Sequence, residues 1–138
     1  MWTKTYSQFY PNISPRKVWE LWKDIDNWPS WHGDLDFCKL EGEFKPGNYF
    51  ILKPKGIKPF RILLTDIEEM ESMTDCTKFF GAKMYDTHSM EIRPDGIILK
   101  NKLVVKGPLK WFWILLVAKG VAKSVPQEME ALAKLAKM

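Results

Sequence analysis

The chain of 138 residues holds few of the residues that usually announce chemistry. Its two cysteines, Cys38 and Cys76, stand alone and lack metal-ligand spacing, which excludes a disulfide scaffold and a thiolate metal centre. No glycine-rich phosphate loop, Ser-His-Asp order or zinc pattern is present, so neither a metal nor a cofactor is expected. The opening residues, Met1 to Tyr6, lack the apolar core of a secretory signal. The longest apolar run, Trp111 to Ala118, is eight residues, far short of the ~20 that span a bilayer. A cytoplasmic protein with reduced thiols is the expectation. A net charge of +4 is too mild to call for nucleic acid. With no repeat, linker or low-complexity tract, residues 1–138 read as a single domain.

What the chain does hold is large apolar side chains, with seven tryptophans and 14% aromatic residues. They must be buried or must line something. From Trp111 to Met138 the residues Trp111, Leu115, Ala118, Ala122, Val125, Met129, Leu132 and Ala136 recur at steps of four and three, the stripe of a long amphipathic helix. Pro126 should bend that helix near Ala122. The upstream chain is mostly β-type, so the helix's natural partner is a sheet curled around it.

Taken in order, Trp2 to Tyr10 reads as a strand. Ser14-Pro15 is a sharp helix start, with Val18, Trp19, Leu21, Trp22 and Ile25 supplying an apolar face. A second short helical turn covers Asp24 to Trp31. Strands are expected at Phe37–Glu43, Tyr49–Lys53, Phe60–Glu69, Cys76–Phe80, Met84–Arg93 and Ile97–Lys106. Turns fall at Lys45-Pro46-Gly47, Lys53 to Pro59, Gly81-Ala82-Lys83 and Pro94-Asp95-Gly96. The short connections predict an antiparallel meander in an α+β domain.

Ile13-Ser14-Pro15, Val18-Trp19, Asp24, Trp28-Pro29 and Trp31 resemble the opening of the START/pollen-allergen (helix-grip, SRPBCC) superfamily, in its polyketide cyclase/dehydrase-like branch. Gly47, Gly96, Gly107-Pro108 and the long final helix match as well. The resemblance covers essentially the whole chain. It implies a helix-grip fold, a seven-stranded antiparallel sheet wrapped around the C-terminal helix, with two short helices between strands 1 and 2 and a cavity within. Members bind lipids, sterols, hormones or polyketides, a minority are enzymes, and no universal catalytic residue exists to carry over.

Ile97, Leu99, Asn101, Leu103 and Val105 alternate onto one face of the last strand, which must point inward. In the preceding strand Met84, Asp86, His88, Met90 and Ile92 share a face. A two-residue Asp95-Gly96 loop sets His88 opposite Leu103 and Met90 opposite Asn101, and turns that face inward. A three-residue loop with a bulge turns Tyr85, Thr87 and Ser89 inward instead. The first arrangement makes Met84, Asp86, His88, Met90, Leu99, Asn101 and Leu103 ligand-binding candidates, together with Phe112, Leu115 and Leu116 of the helix. Asp86 and His88 are also the candidate acid and base, should the protein be a cyclase or dehydratase rather than a binder. His32-Gly33-Asp34-Leu35-Asp36 reads as a solvated polar turn, and Trp19, Trp22, Trp28 and Trp31 as core.

In a meander, the loops after the third, fifth and seventh strands lie at one end. That end gathers Lys53, Lys55, Lys58, Lys106 and Lys110 beside Trp111 and Trp113, a basic and aromatic rim suited to transient contact with anionic membranes. The expected function is binding, and by extension transport, of a hydrophobic small molecule, lipid or polyketide-like. The protein is expected to be a monomer or weak homodimer. The rival readings are a cyclase/dehydratase and an interaction module with a filled interior.

Overall fold

A computed structural model describes residues 1–137. Strand β1 (Trp2–Pro11) leads to helix α1 (Pro15–Lys23) and a 3-10 turn (Ile25–Ser30). There follow β2 (Leu35–Leu40), β3 (Tyr49–Pro54), β4 (Phe60–Glu68), β5 (Ser72–Phe79), β6 (Ala82–Arg93) and β7 (Gly96–Lys106). A C-terminal helix closes the chain. It comprises an α-helical turn (Lys110–Trp113), a π-helical segment (Ile114–Ala118) and a long α-helical stretch (Lys119–Leu135). Met138, the expected end of this helix, lies outside the described residues.

All strand pairs are antiparallel, in the order β1-β7-β6-β5-β4-β3-β2. The first strand pairs with the last, so β1 and β2 sit at opposite edges. The segment carrying α1 and the 3-10 turn must therefore cross the concave side. Ser14 starts α1 as expected, its Oγ accepting from the Lys17 amide at 3.3 Å. The apolar face buries Val18, Trp19, Trp22 and Ile25. The Trp28 indole donates to the Trp22 carbonyl at 3.1 Å, fixing the 3-10 turn against α1. Ser14 N–H donates to the Ala136 carbonyl at 3.0 Å, tying α1 to the end of the C-terminal helix.

Several local expectations differ from what is observed. β5 begins at Ser72 rather than Cys76, and β2 runs Leu35–Leu40 rather than Phe37–Glu43. The β6–β7 hairpin turns on Pro94-Asp95, with Arg93 opposite Gly96. His88 therefore faces Asn101, and Met90 faces Leu99. This is two places from the expected pairing, and an even shift leaves the inward face unchanged. Gly96 is required here because a Cβ would lie 2.2 Å from the Tyr10 carbonyl oxygen.

The C-terminal helix departs further. Trp111 and Leu115, expected on the buried stripe, are exposed, while Ile114 and Ala118 are buried. The π segment explains the change, since one extra residue in a turn rotates everything before it by one position. From Ala118 onward the expected stripe holds, with Val125, Met129, Leu132 and Ala136 buried. The helix also continues through Pro126, and its irregular turn falls at Ile114–Ala118 rather than near Ala122.

Candidate functional site

The sheet and helix do not close on each other completely. A cavity of about 310 Å3 lies between them, open to solvent. Its apolar wall includes Leu52, Phe60, Ile62, Phe79 and Met84 from the sheet and Leu116 and Val121 from the helix. Trp28 and Trp31 close one side, although both are also core residues as expected.

One part of the wall is polar. Asp75 and Asp86 are direct cross-strand partners on β5 and β6, and Asp75 is only 5% exposed. Asn101, reaching from β7, donates through Nδ2 to Asp86 Oδ1 at 2.6 Å and lies 3.3 Å from His88 Nδ1. The His88 Nε2 is 3.8 Å from Asp86 Oδ1. Trp22 and Trp28 flank the His88 ring, with centroids 5.8 and 6.1 Å away. From the opposite side, His32 Nε2 lies 2.8 Å from Glu128 Oε1, and Ser124 donates to the same carboxylate.

Burial pushes the Asp75 carboxyl well above the usual carboxylate range, and the charge of Asp86 beside it adds to the effect. Asp86 is raised too, mainly by burial, while His88 and the Asn101 hydrogen bond pull against that rise. Two carboxyls so placed resist double ionisation, so the pair gives up its last proton at higher pH than an isolated carboxyl does. When it holds one proton, the pair offers a carboxyl donor and a carboxylate acceptor beside an imidazole in one wall of an apolar cavity. Ligand atoms of Asp75, Asp86 and His88 lie within 4.8 Å of one another, a spacing that a divalent cation can bridge. The Asn101 amide already supplies Asp86 with a partner, which argues for a hydrogen-bonding role.

The sequence candidates divide into groups. Met84, Asp86, His88 and Leu116 line the main cavity together. Leu99 and Asn101 line a separate void of about 20 Å3, with Trp22 and Trp31, whose indole N–H groups have no protein partner. That void has room for one water. Met90 and Leu103 are buried in the core, and Phe112 and Leu115 project from the outer face of the helix. Asp75, Thr77, His32, Ser124 and Glu128 were not among the candidates. His32, expected in a solvated turn, instead faces the cavity.

At the rim, Lys55, Lys58, Lys106 and Trp111 are exposed and Lys110 is half-buried. Lys53 is held by Asp36 at 2.7 Å. Trp113 stacks on Phe79 at 4.4 Å and donates to the Phe80 carbonyl at 2.7 Å, so it is largely a packing residue. The cysteines are both free and buried, and burial pushes the Cys38 thiol up to about 12.

Residues 3–137 match the family model described as polyketide cyclase / dehydrase and lipid transport. The chain belongs to this family. Among solved structures it is similar to hypothetical protein jhp0584 of Helicobacter pylori, with a TM-score of 0.79 at 10% identity, covering 98% of this chain and 88% of that one. It resembles a START superfamily protein of Mycobacterium smegmatis, with a TM-score of 0.68 at 17% identity, covering 98% and 95%. The di-domain ARO/CYC StfQ from the steffimycin biosynthetic pathway gives a TM-score of 0.78 at 8% identity, covering 97% of this chain and 50% of StfQ. No curated protein matches. At these identities the structural likenesses establish the helix-grip fold alone. No helix among the described residues is long and apolar enough to cross a membrane.

Proposed function

We propose that this helix-grip protein binds one amphipathic small molecule in the cavity between sheet and helix. The supporting observation is the 310 Å3 opening itself, apolar on most of its wall and polar around Asp75, Asp86 and His88. That volume is at the lower end of ordinary ligand sites, about 300–1,000 Å3. It favours a single ring system or a single chain, polyketide-like or lipid-like, over a diacyl lipid. The apolar body lies against Phe60, Phe79 and Leu116, and a hydroxyl, carbonyl or amine of the ligand meets the carboxyl pair. Transport is the extension of this reading in which the ligand is released elsewhere unchanged. An interaction module with a filled interior is the less suitable reading, since the interior is open.

The uncharged probe 1-aminoanthracene tests the cavity. It is expected to bind with one saturable site and to quench Trp28 and Trp31. Val121→Trp, which places an indole in the cavity wall, should weaken it by about tenfold or more, the effect of losing ~1.4 kcal/mol of binding. Non-saturable binding, or affinity unchanged in a folded Val121→Trp variant, refutes the reading.

A second reading is acid–base turnover of the bound compound, favoured by two facing carboxyls, both with raised pKa, beside His88. A carboxyl that protonates a carbonyl oxygen while a neighbouring base removes a proton is the arrangement that cyclisation and dehydration need. On that reading, His88→Ala lowers turnover of a polyketone substrate by about 100-fold or more and leaves probe affinity within a few-fold. Equal losses in both would make His88 a binding residue only.

A further inference from the structure

Of the twelve large apolar side chains exposed among the described residues, eight (Met1, Ile57, Phe80, Leu109, Trp111, Phe112, Leu115 and Leu116) fall on the chain start, the β3–β4 and β5–β6 turns and the beginning of the C-terminal helix. Two of them, Ile57 and Leu116, line the cavity. Phe80, at the β5–β6 turn, is 84% exposed. Its carbonyl accepts from Trp113, and the neighbouring Gly81 carbonyl accepts from Leu109 N–H at 2.9 Å, so this turn and the helix start form one surface. The helix continues it. Trp111 is 58% and Leu115 66% exposed, one turn apart, with Phe112 and Leu116 exposed beside them. Leu116 lines the cavity along with Ile57 of the β3–β4 turn, which places that turn on the same rim. Met1 completes the group, its amino group lying against Lys110.

Cations surround this apolar surface. Lys55 and Lys58 bracket Ile57, and Lys119 follows the exposed helix face. Lys83 and Lys106 are cross-strand partners at the ends of β6 and β7. The cavity's own acidic groups, Asp34, Asp75, Asp86 and Glu128, are set in its wall, and Asp36 is paired with Lys53 at 2.7 Å.

We propose that this end of the protein docks on an anionic lipid bilayer, with Trp111, Phe112 and Leu115 entering the headgroup–acyl boundary and the lysines meeting lipid phosphates and carboxylates. Amphipathic surfaces of this kind join buried apolar area to electrostatic attraction. Long lysine stems let their charges stay at headgroup level while the apolar side chains go deeper. Charge selects the bilayer over a second copy of the chain, because a two-fold contact through this patch sets one lysine collar against the other. The proposal stands on surface geometry, so it holds whatever the cavity binds.

Vesicle co-sedimentation of the whole chain, with phosphatidylcholine alone or mixed with phosphatidylserine, provides the test. Binding is expected to the mixed vesicles only and to fall away at high salt. Lys55→Glu with Lys58→Glu should weaken it by at least about 25-fold, from about fivefold per lysine lost near an anionic surface. Trp111→Ser with Leu115→Ser should weaken it by about tenfold or more. Both pairs of substitutions are at exposed positions, and circular dichroism verifies the fold. Brominated acyl chains should quench the wild-type fluorescence more than that of the Trp111→Ser, Leu115→Ser variant. Absence of pelleting, equal pelleting with neutral vesicles, or a dimer by sedimentation that Trp111→Ser, Leu115→Ser abolishes would each overturn the proposal.

Discussion

Asp75→Asn is expected to make the protein more stable at pH 8, by about 1–3 kcal/mol or on the order of 5 °C in melting temperature. Asp75 is buried, and its carboxyl makes no hydrogen bond with a side chain or amide among the described residues. Its cross-strand neighbour is another carboxyl. Its folded pKa is raised by burial first and by the Asp86 charge second. For an acid whose folded pKa lies above its unfolded value, the folded state holds the proton longer. Stability therefore falls as pH rises from the unfolded pKa, about 4, through the folded one. The amide cannot ionise, so this loss disappears in the variant. The difference between Asp75→Asn and wild type should be large at pH 8 and small near pH 4. Thermal melts across that range check the sign. A variant less stable than wild type at pH 8 would mean that the carboxyl has a stabilising role in the folded chain. A stabilising substitution in a cavity wall is the usual mark of a residue kept for function.

Why Asp75 escaped a reading of the sequence is physically clear. Met73, Asp75 and Thr77 alternate onto one face, but two of the three are polar, and alternation identifies an inward face only through its apolar members. β7 is the opposite case. Ile97, Leu99, Leu103 and Val105 mark the inward face so firmly that Asn101 is carried inside with them. The β6 face followed from pairing with β7, and survived a misplaced turn because the error was two residues. His32 and Glu128 are far apart in sequence, and nothing local to either signals their 2.8 Å contact. The π segment was hidden for another reason. Trp111 to Ala118 is apolar at every position, so any helical phase fits it equally well, and only packing against the sheet selects Ile114 over Leu115.

Asn101→Leu should produce the opposite result from Asp75→Asn, although the two residues serve the same carboxyl cluster. Asn101 is 4% exposed and donates to Asp86 at 2.6 Å. Hydrogen bonds to charged groups contribute about 1.5–3 kcal/mol, and a leucine in this position leaves the carboxylate without its donor. The Asn101 bond is also one of the influences that restrain the rise in the Asp86 pKa. Without it the folded pKa moves further above the unfolded one. The loss of stability should therefore be greatest at pH 8 and diminish towards pH 4, as the folded-state Asp86 takes up its proton and the unfolded chain begins to do so. The double variant Asp75→Asn, Asn101→Leu then separates shared from independent effects. An asparagine at position 75 faces Asp86 directly and offers it a new amide donor, so the double variant should recover part of the stability lost in Asn101→Leu, with a coupling of about 0.5–3 kcal/mol. Strict additivity would show that Asp75 and Asn101 do not act on the same proton, and would remove the basis for treating Asp75, Asp86 and His88 as one polar site.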